Sequence, residues 1–245
     1  MKNIINVISP LEMTPPDDLS IFVLPDGNER AKEQHKDYGD GGKNVVKTIL
    51  SMVNRGDVRK LVFGLMSEEN TRKRGDDFRQ QMYKAFVGLG DSITHDGILV
   101  NDGIKVEICG DIDYLNQQGH TASKLSEMIK TVVGKTAVNE SPRLLTKFGI
   151  NYPKDITLKE GSNVIIRSGM HEDNTFKGSG VVITPSMTNL SFTENWPLLS
   201  QSRLNSALDE AKKNRRIGFS DGNQFDSIQR ILELQGIEAD ITIGS

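Results

Sequence analysis

An aspartate followed by glycine and asparagine closes the apolar run IFVL at 21–24. It opens a stretch, Asp26-Gly27-Asn28-Glu29-Arg30-Ala31-Lys32, in which acid, base and flexible backbone alternate. A carboxylate at such a turn sits among free backbone N–H groups. A phosphate bound beside it would be repelled unless a divalent cation lay between the two. Mg²⁺ suits that arrangement, because it takes one or two carboxylates, several waters and the phosphates of a substrate. Gly39, Gly41 and Gly42 precede an apolar helical stripe and offer N–H donors and the positive end of a helix dipole to an anion. Arg30, Lys32 and Lys36 add positive charge. The plain alternative is a solvated turn whose glycines only satisfy backbone geometry. The spacing matches neither a P-loop nor a dinucleotide fingerprint, so both readings stay open.

A second group lies in NVIIRSGMHEDNTFKGSG, 163–180. Arg167 closes an apolar run, and Ser168, Gly169, Lys177 and Ser179 follow it. A forked guanidinium with hydroxyls nearby can hold a second phosphate. Against this, Arg167 can pair with an acid such as Glu172. His171 is either a solvated loop histidine or an acid–base group. Ser67, Glu69 and Asn70 open SEENTRKR, which reads as a solvated charged loop. Gly110-Asp111 follows the run IKVEIC, whose Cys109 reads as a core residue.

These groups need a frame. Apolar runs at 21–24, 60–65, 104–109, 144–150 and 163–166 read as buried strands. Between them lie helical patterns: a stripe through Val45, Ile49, Met52 and Val53 that stops near Gly56, then 76–89, then 122–133, and finally 200–216. A short helix is expected at 227–234. Such alternation predicts an α/β fold with a mostly parallel central sheet and helices on both faces. In sheets of this kind the working residues stand at the carboxyl ends of the strands. The division expected is a leader at 1–20, a single domain at 21–218 and a tail at 219–245.

With 245 residues, 36% hydrophobic and 26% charged, the chain can bury one sizeable core. A net charge of −3 argues against a general nucleic-acid binder. No apolar run approaches the ~20 residues of a spanning helix, and the first residues do not read as a signal peptide. The single cysteine points to a reducing, cytoplasmic setting.

Taken together, the segments resemble the cis-prenyltransferases, the family of undecaprenyl diphosphate synthase. Asp26-Gly27-Asn28-Glu29-Arg30-Ala31-Lys32 resembles its DGNGRWAK motif, and Gly39-Asp40-Gly41-Gly42-Lys43 its GHxxG segment. Ser67 to Lys73 resembles SSENWNR, Ile108 to Asp111 IxGD, and Asn151-Tyr152 onward NYGGRxDI. Ile166 to His171 resembles IRTxGE, Lys177-Gly178-Ser179 RxS, NLSFTENWP at 189–197 ELYFTDVLWP, and Arg215-Arg216-Ile217-Gly218 the terminal RRFG. The resemblance implies a dimeric, Mg²⁺-dependent enzyme that joins isoprenoid diphosphates. It implies Asp26 at the metal and at the departing diphosphate, and Asn70 and His171 near the reacting carbons. The allylic diphosphate would lie on Gly27, Asn28, Arg30 and the backbone of 39–42, with Lys36, Asp40, Ser67 and Lys73 in the same substrate-binding set. The second diphosphate would lie on Arg167, Lys177 and Ser179, and Arg216 and Gly218 would belong to the tail lent by a partner subunit.

The departures are specific. Ala31 stands for the motif tryptophan, Asp40 for the GHxxG histidine, Thr71 for an aromatic residue and Asn189 for an acid that binds Mg²⁺. His171 in place of glutamate, together with Asp37 and Asp40, resembles the branched-chain members that make lavandulyl and cyclolavandulyl diphosphates. Met82, Tyr83 and Phe86 either shorten a product tunnel or only fill the core. The function expected is therefore condensation or rearrangement of short allylic prenyl diphosphates. The alternatives are a single-substrate diphosphate-releasing synthase or transferase, and a non-catalytic partner subunit.

Overall fold

In the computed structural model, residues 18–28, 30–31, 37–95, 102–152, 162–169, 180–183 and 188–220 are described. The first strand shows how the layers arise. In β1 (Leu19–Leu24), Leu19, Ile21 and Val23 are buried on one face and Phe22 on the other. That two-residue alternation makes the strand apolar on both sides, as a central parallel strand must be. It pairs with β2 (Val58–Ser67) on one side and β5 (Val164–Arg167) on the other, both parallel. β4 (Leu144–Tyr152), β3 (Ile104–Cys109) and β7 (Thr188–Ser191) extend the parallel sheet, and β6 (Gly180–Ile183) adds an antiparallel edge. The order is β3-β4-β2-β1-β5-β7-β6.

The helices follow from their apolar stripes. α1 (Tyr38–Arg55) buries Val45, Ile49, Met52 and Val53 and ends at Gly56 in the left-handed region, φ 72°. It begins at Tyr38, seven residues before the first residue of the apolar stripe, Val45. Asp37 caps it, accepting the Asp40 N–H, while the Asp40 carboxylate returns to the Asp37 N–H. α3 (Asp76–His95) and α4 (His120–Thr136) add Met82, Phe86, Leu89, Leu125 and Ile129 to the same core. α5 (Gln201–Ser220) adds Leu204 and Leu208. Each such side chain contributes roughly 1.5–3 kcal/mol on burial. The expected loop SEENTRKR is instead α2 (Glu68–Lys73), capped by Ser67 and braced by the Glu68–Arg72 and Glu69–Lys73 pairs. On the other face of the sheet, Phe22 and Val62 form a smaller cluster with Leu24, Cys109, Tyr152 and Ile165.

β1 and β5 are neighbours, yet the chain leaves β1 toward β2 and leaves β5 toward β6 and β7. Their carboxyl ends therefore flank the switch point of the sheet, where ligands bind in open α/β folds. Of the expected leader at 1–20, residues 1–17 lie outside the described residues, as does the helix at 227–234, while Leu19 and Ser20 already belong to β1. α5 runs on to Ser220, past the helix end expected at 216.

Candidate functional site

Asp26 and Arg167 meet at this switch point. Register pairs Leu24 with Arg167, and the guanidinium Nε lies 3.4 Å from Asp26 Oδ2. Arg167 thus takes Asp26, separated by 141 residues in sequence. The Asp26 side chain is 54% exposed, so one face of the carboxylate remains open to water. Desolvation by the surrounding protein raises its pKa, and the charges of Arg167 and Arg30 only partly offset it.

Main-chain bonds hold the turn. Asp26 N–H donates to Leu24 O at 3.0 Å, and Asn28 Nδ2 donates to Pro25 O at 2.8 Å. The carbonyl of Asp26 accepts from Ser168 Oγ and from Trp196 N–H, each at 3.0 Å. Arg30 donates to Gly169 O. At Gly169, φ is 63°, and a Cβ would stand 2.9 Å from both Asp26 O and Arg30 Nη2. Only glycine fits where the β1 and β5 turns touch. Trp196 is the joint of the site. It is buried, its indole N–H donates to Gly41 O at 3.0 Å, and Asn44 Nδ2 donates to its carbonyl at 2.6 Å.

Behind the turn lies an apolar cavity of about 20 Å³ between α1 and α3. Pro25, Asn28, Tyr38, Gly41, Leu65, Met82, Phe86, Leu89 and Trp196 are among its walls. A second apolar cavity of about 30 Å³ lies deeper, against α4, and shares Leu65, Phe86 and Leu89 with the first. Those three side chains form the partition. Tyr83 is fully buried and lines neither cavity.

The solved structures that share this architecture include two prenyl diphosphate synthases. Lavandulyl diphosphate synthase from Lavandula x intermedia, in complex with dimethylallyl diphosphate, matches with a TM-score of 0.52 at 15% identity, over 82% of this chain and 96% of that one. The fold is that of the cis-prenyltransferases. A probable undecaprenyl diphosphate synthase from Campylobacter jejuni matches with a TM-score of 0.51 at 14% identity, over 80% and 95% of the two chains. No family model matches the chain, and no curated protein matches it in sequence.

On this cis-prenyltransferase fold, the structure gathers Asp26, Gly27, Asn28, Arg30 and Arg167 at one edge. Gly39, Asp40, Gly41 and Gly42 form no loop before a helix. They are the first turn of α1, where the Asp37 carboxylate accepts the Asp40 N–H. Gly41 serves close packing, since a Cβ there would lie 2.2 Å from Asn28 Oδ1. Asp40 spends its carboxylate on the cap and on Lys43. Ser67 is the α2 cap, with its Oγ accepting the Asn70 N–H at 3.2 Å, and Lys73 pairs with Glu69. Asp111 accepts the Tyr114 N–H through Oδ1 at 3.0 Å and binds Asn151 through its main chain. Asn189 pairs with Ile165, two residues short of Arg167.

Lys36, His171, Lys177 and Ser179 lie outside the described residues. Arg216 and Gly218 belong to the last turns of α5, where only the backbone is described. Sequence reasoning missed Ser168, Asn44 and Trp196 as the groups that fix Asp26. Only the W-P pair in NLSFTENWP hinted at the last of these. Among the described residues no three His, Cys, Asp or Glu side chains are grouped to hold a metal, and no helix is long and apolar enough to cross a membrane.

Proposed function

We propose that the chain is a prenyltransferase acting on short allylic diphosphates, with release of diphosphate. One observation carries this reading: the Pro25–Asn28 turn bears the half-exposed Asp26 carboxylate beside Arg167, and its Pro25 and Asn28 wall an apolar cavity. An allylic diphosphate has the same two halves. Its charged head suits Arg30 and the Gly27–Asn28 backbone, and its hydrocarbon suits Met82, Phe86 and Leu89.

In the transfer, the allylic C1–O bond breaks and its electron pair leaves with the diphosphate. The π electrons of an acceptor alkene form the new C–C bond at C1, and a proton leaves the adjacent carbon. Arg30 and Arg167 stabilise the charge that gathers on phosphate oxygens, as preorganised cations do. Asp26 faces the same place with an open carboxylate edge. A single half-exposed carboxylate fits Mg²⁺ that arrives with the substrate, because such an ion keeps several waters and phosphate oxygens. When bound there, with Asp26 as its protein ligand, Mg²⁺ supplies neutralisation of the leaving group. The apolar walls exclude water from the developing cation. Each cavity has room for one or two waters, less than a prenyl chain occupies. The homodimer and the roles of His171, Lys177, Ser179, Arg216 and Gly218 belong to this proposal too.

The test is incubation with dimethylallyl, geranyl or farnesyl diphosphate, with and without isopentenyl diphosphate, in Mg²⁺. Products are read by mass spectrometry and diphosphate by release. The expected result is a short prenyl diphosphate; no product and no released diphosphate from any substrate would overturn the proposal.

A further inference from the structure

Strand β4 abandons its alternation at its end. Phe148 and Ile150 enter the main core, and a period of two would send Tyr152 after them. Tyr152 instead packs on the opposite face with Phe22 and Val62. The register with β2 explains the reversal. Gly64 pairs with Gly149, Met66 with Ile150 and Ser67 with Tyr152, so Leu65 and then Asn151 are each extra residues. They are compensating β-bulges, a device that re-aims side chains beside functional sites. Asn151 has φ 51° and is buried; its Nδ2 donates to Asp111 O at 3.1 Å, and its carbonyl accepts the Asp111 N–H at 3.1 Å.

The bulge lays Tyr152 along the switch-point face. A Cβ on Gly64 would stand 3.1 Å from the Tyr152 hydroxyl and 3.0 Å from Leu24 Cδ2, so a bare glycine makes room for both. Leu24 is paired with Arg167. Gly64, Leu24 and Arg167 therefore lie together on one face of β2, β1 and β5, and Tyr152, whose backbone pairs with Ser67, reaches its hydroxyl back to Gly64. Among the described residues the hydroxyl has no hydrogen-bond partner. Burial, with the nearby charge of Asp26, raises the phenol pKa, so the group stays protonated and donates.

We propose that Tyr152 binds substrate: its hydroxyl donates a hydrogen bond to a phosphoryl oxygen of the diphosphate held at Arg167. This rests on the transferase reading above. It also gives Asn151 a task, since its left-handed backbone, with the carbonyl held by the Asp111 N–H, shapes the bulge that delivers the phenol.

The test titrates the full chain, in Mg²⁺, with isopentenyl diphosphate in a calorimeter. Tyr152→Phe keeps the ring and its packing. It is expected to weaken binding roughly tenfold, the loss typical of a hydrogen bond to a charged group, and to raise KM for that substrate with little change in kcat. Asn151→Gly, which tolerates φ 51°, is expected to bind like the wild type. Asn151→Ala, which does not, is expected to bind like Tyr152→Phe. This pair supplies the same readout should Tyr152→Phe fail to fold. Undiminished binding by Tyr152→Phe, or equal binding by the two Asn151 variants, overturns the inference and leaves the transferase reading standing. A wild-type chain that binds no diphosphate overturns both.

Discussion

Replacing Asp26 by asparagine separates an ion pair kept for stability from a carboxylate kept for chemistry. The Asp26–Arg167 pair, at 3.4 Å, has side chains 54% and 50% exposed. At that separation two charges attract by about 1 kcal/mol in bulk water, and exposed pairs measure about 0–1 kcal/mol once entropy and salt are counted. Linkage adds a second sign. A carboxylate whose folded pKa is raised, as that of Asp26 is by desolvation, favours the folded state when protonated and opposes it once ionised. The penalty grows as pH rises from its ordinary 3.8 through the folded value and is fully present at neutral pH. The two effects oppose one another, so Asp26→Asn should shift Tm by no more than about 3 °C, in either direction. Diphosphate release should fall about 100-fold or more, as when one preorganised electrostatic group is removed. The assay is a thermal melt beside a diphosphate-release rate on one preparation. A melt lowered by tens of degrees with turnover retained would show that the pair is architecture, and the reasoning would fail.

Two further outcomes follow from other parts of the fold. Phe86→Leu thins the partition between the two apolar cavities at a cost of about 1–2 kcal/mol; mass spectrometry should find products longer by one isoprene unit, and an unchanged product length would contradict the partition's role. Asp57, at the far end of the sheet, accepts two hydrogen bonds from Arg55 at 3.0 Å and one from Lys212 at 3.1 Å. Burial alone would raise its pKa, but these partners outweigh it and the pKa lies below the ordinary 3.8. Its stabilisation is therefore present above pH 3.8 and lost as pH falls through the folded value. Asp57→Asn should cost about 1–3 kcal/mol at neutral pH, leave turnover intact, and match the wild type in acid melts.

Strands β1 to β5 were legible because each is a short apolar run, and the long helices because their stripes repeat at helical spacing; the short strands β6 and β7 were not expected. Asp26 and Arg167 could each be picked out as polar residues closing such runs. Their pairing could not, since it depends on β5 returning to lie beside β1 after three intervening strands. Two errors had visible remedies. The acids of Asp37-x-x-Asp40 form a capping box that starts α1 early, and Ser67 followed by Glu68–Arg72 and Glu69–Lys73 at four-residue spacing marks a helix. The turn of Tyr152 onto the opposite face left no local trace, because a bulge is a relation between two strands.

The indole of Trp196 couples two movements that would otherwise be separate. Its own amide grips the residue bearing the acid, while its ring grips the head of the first helix. If that helix swings aside for a guest, the same lever tugs on the acid's backbone. Loading the greasy slot and adjusting the charged rim would then be a single stroke, felt at the reacting bond only when the slot is filled.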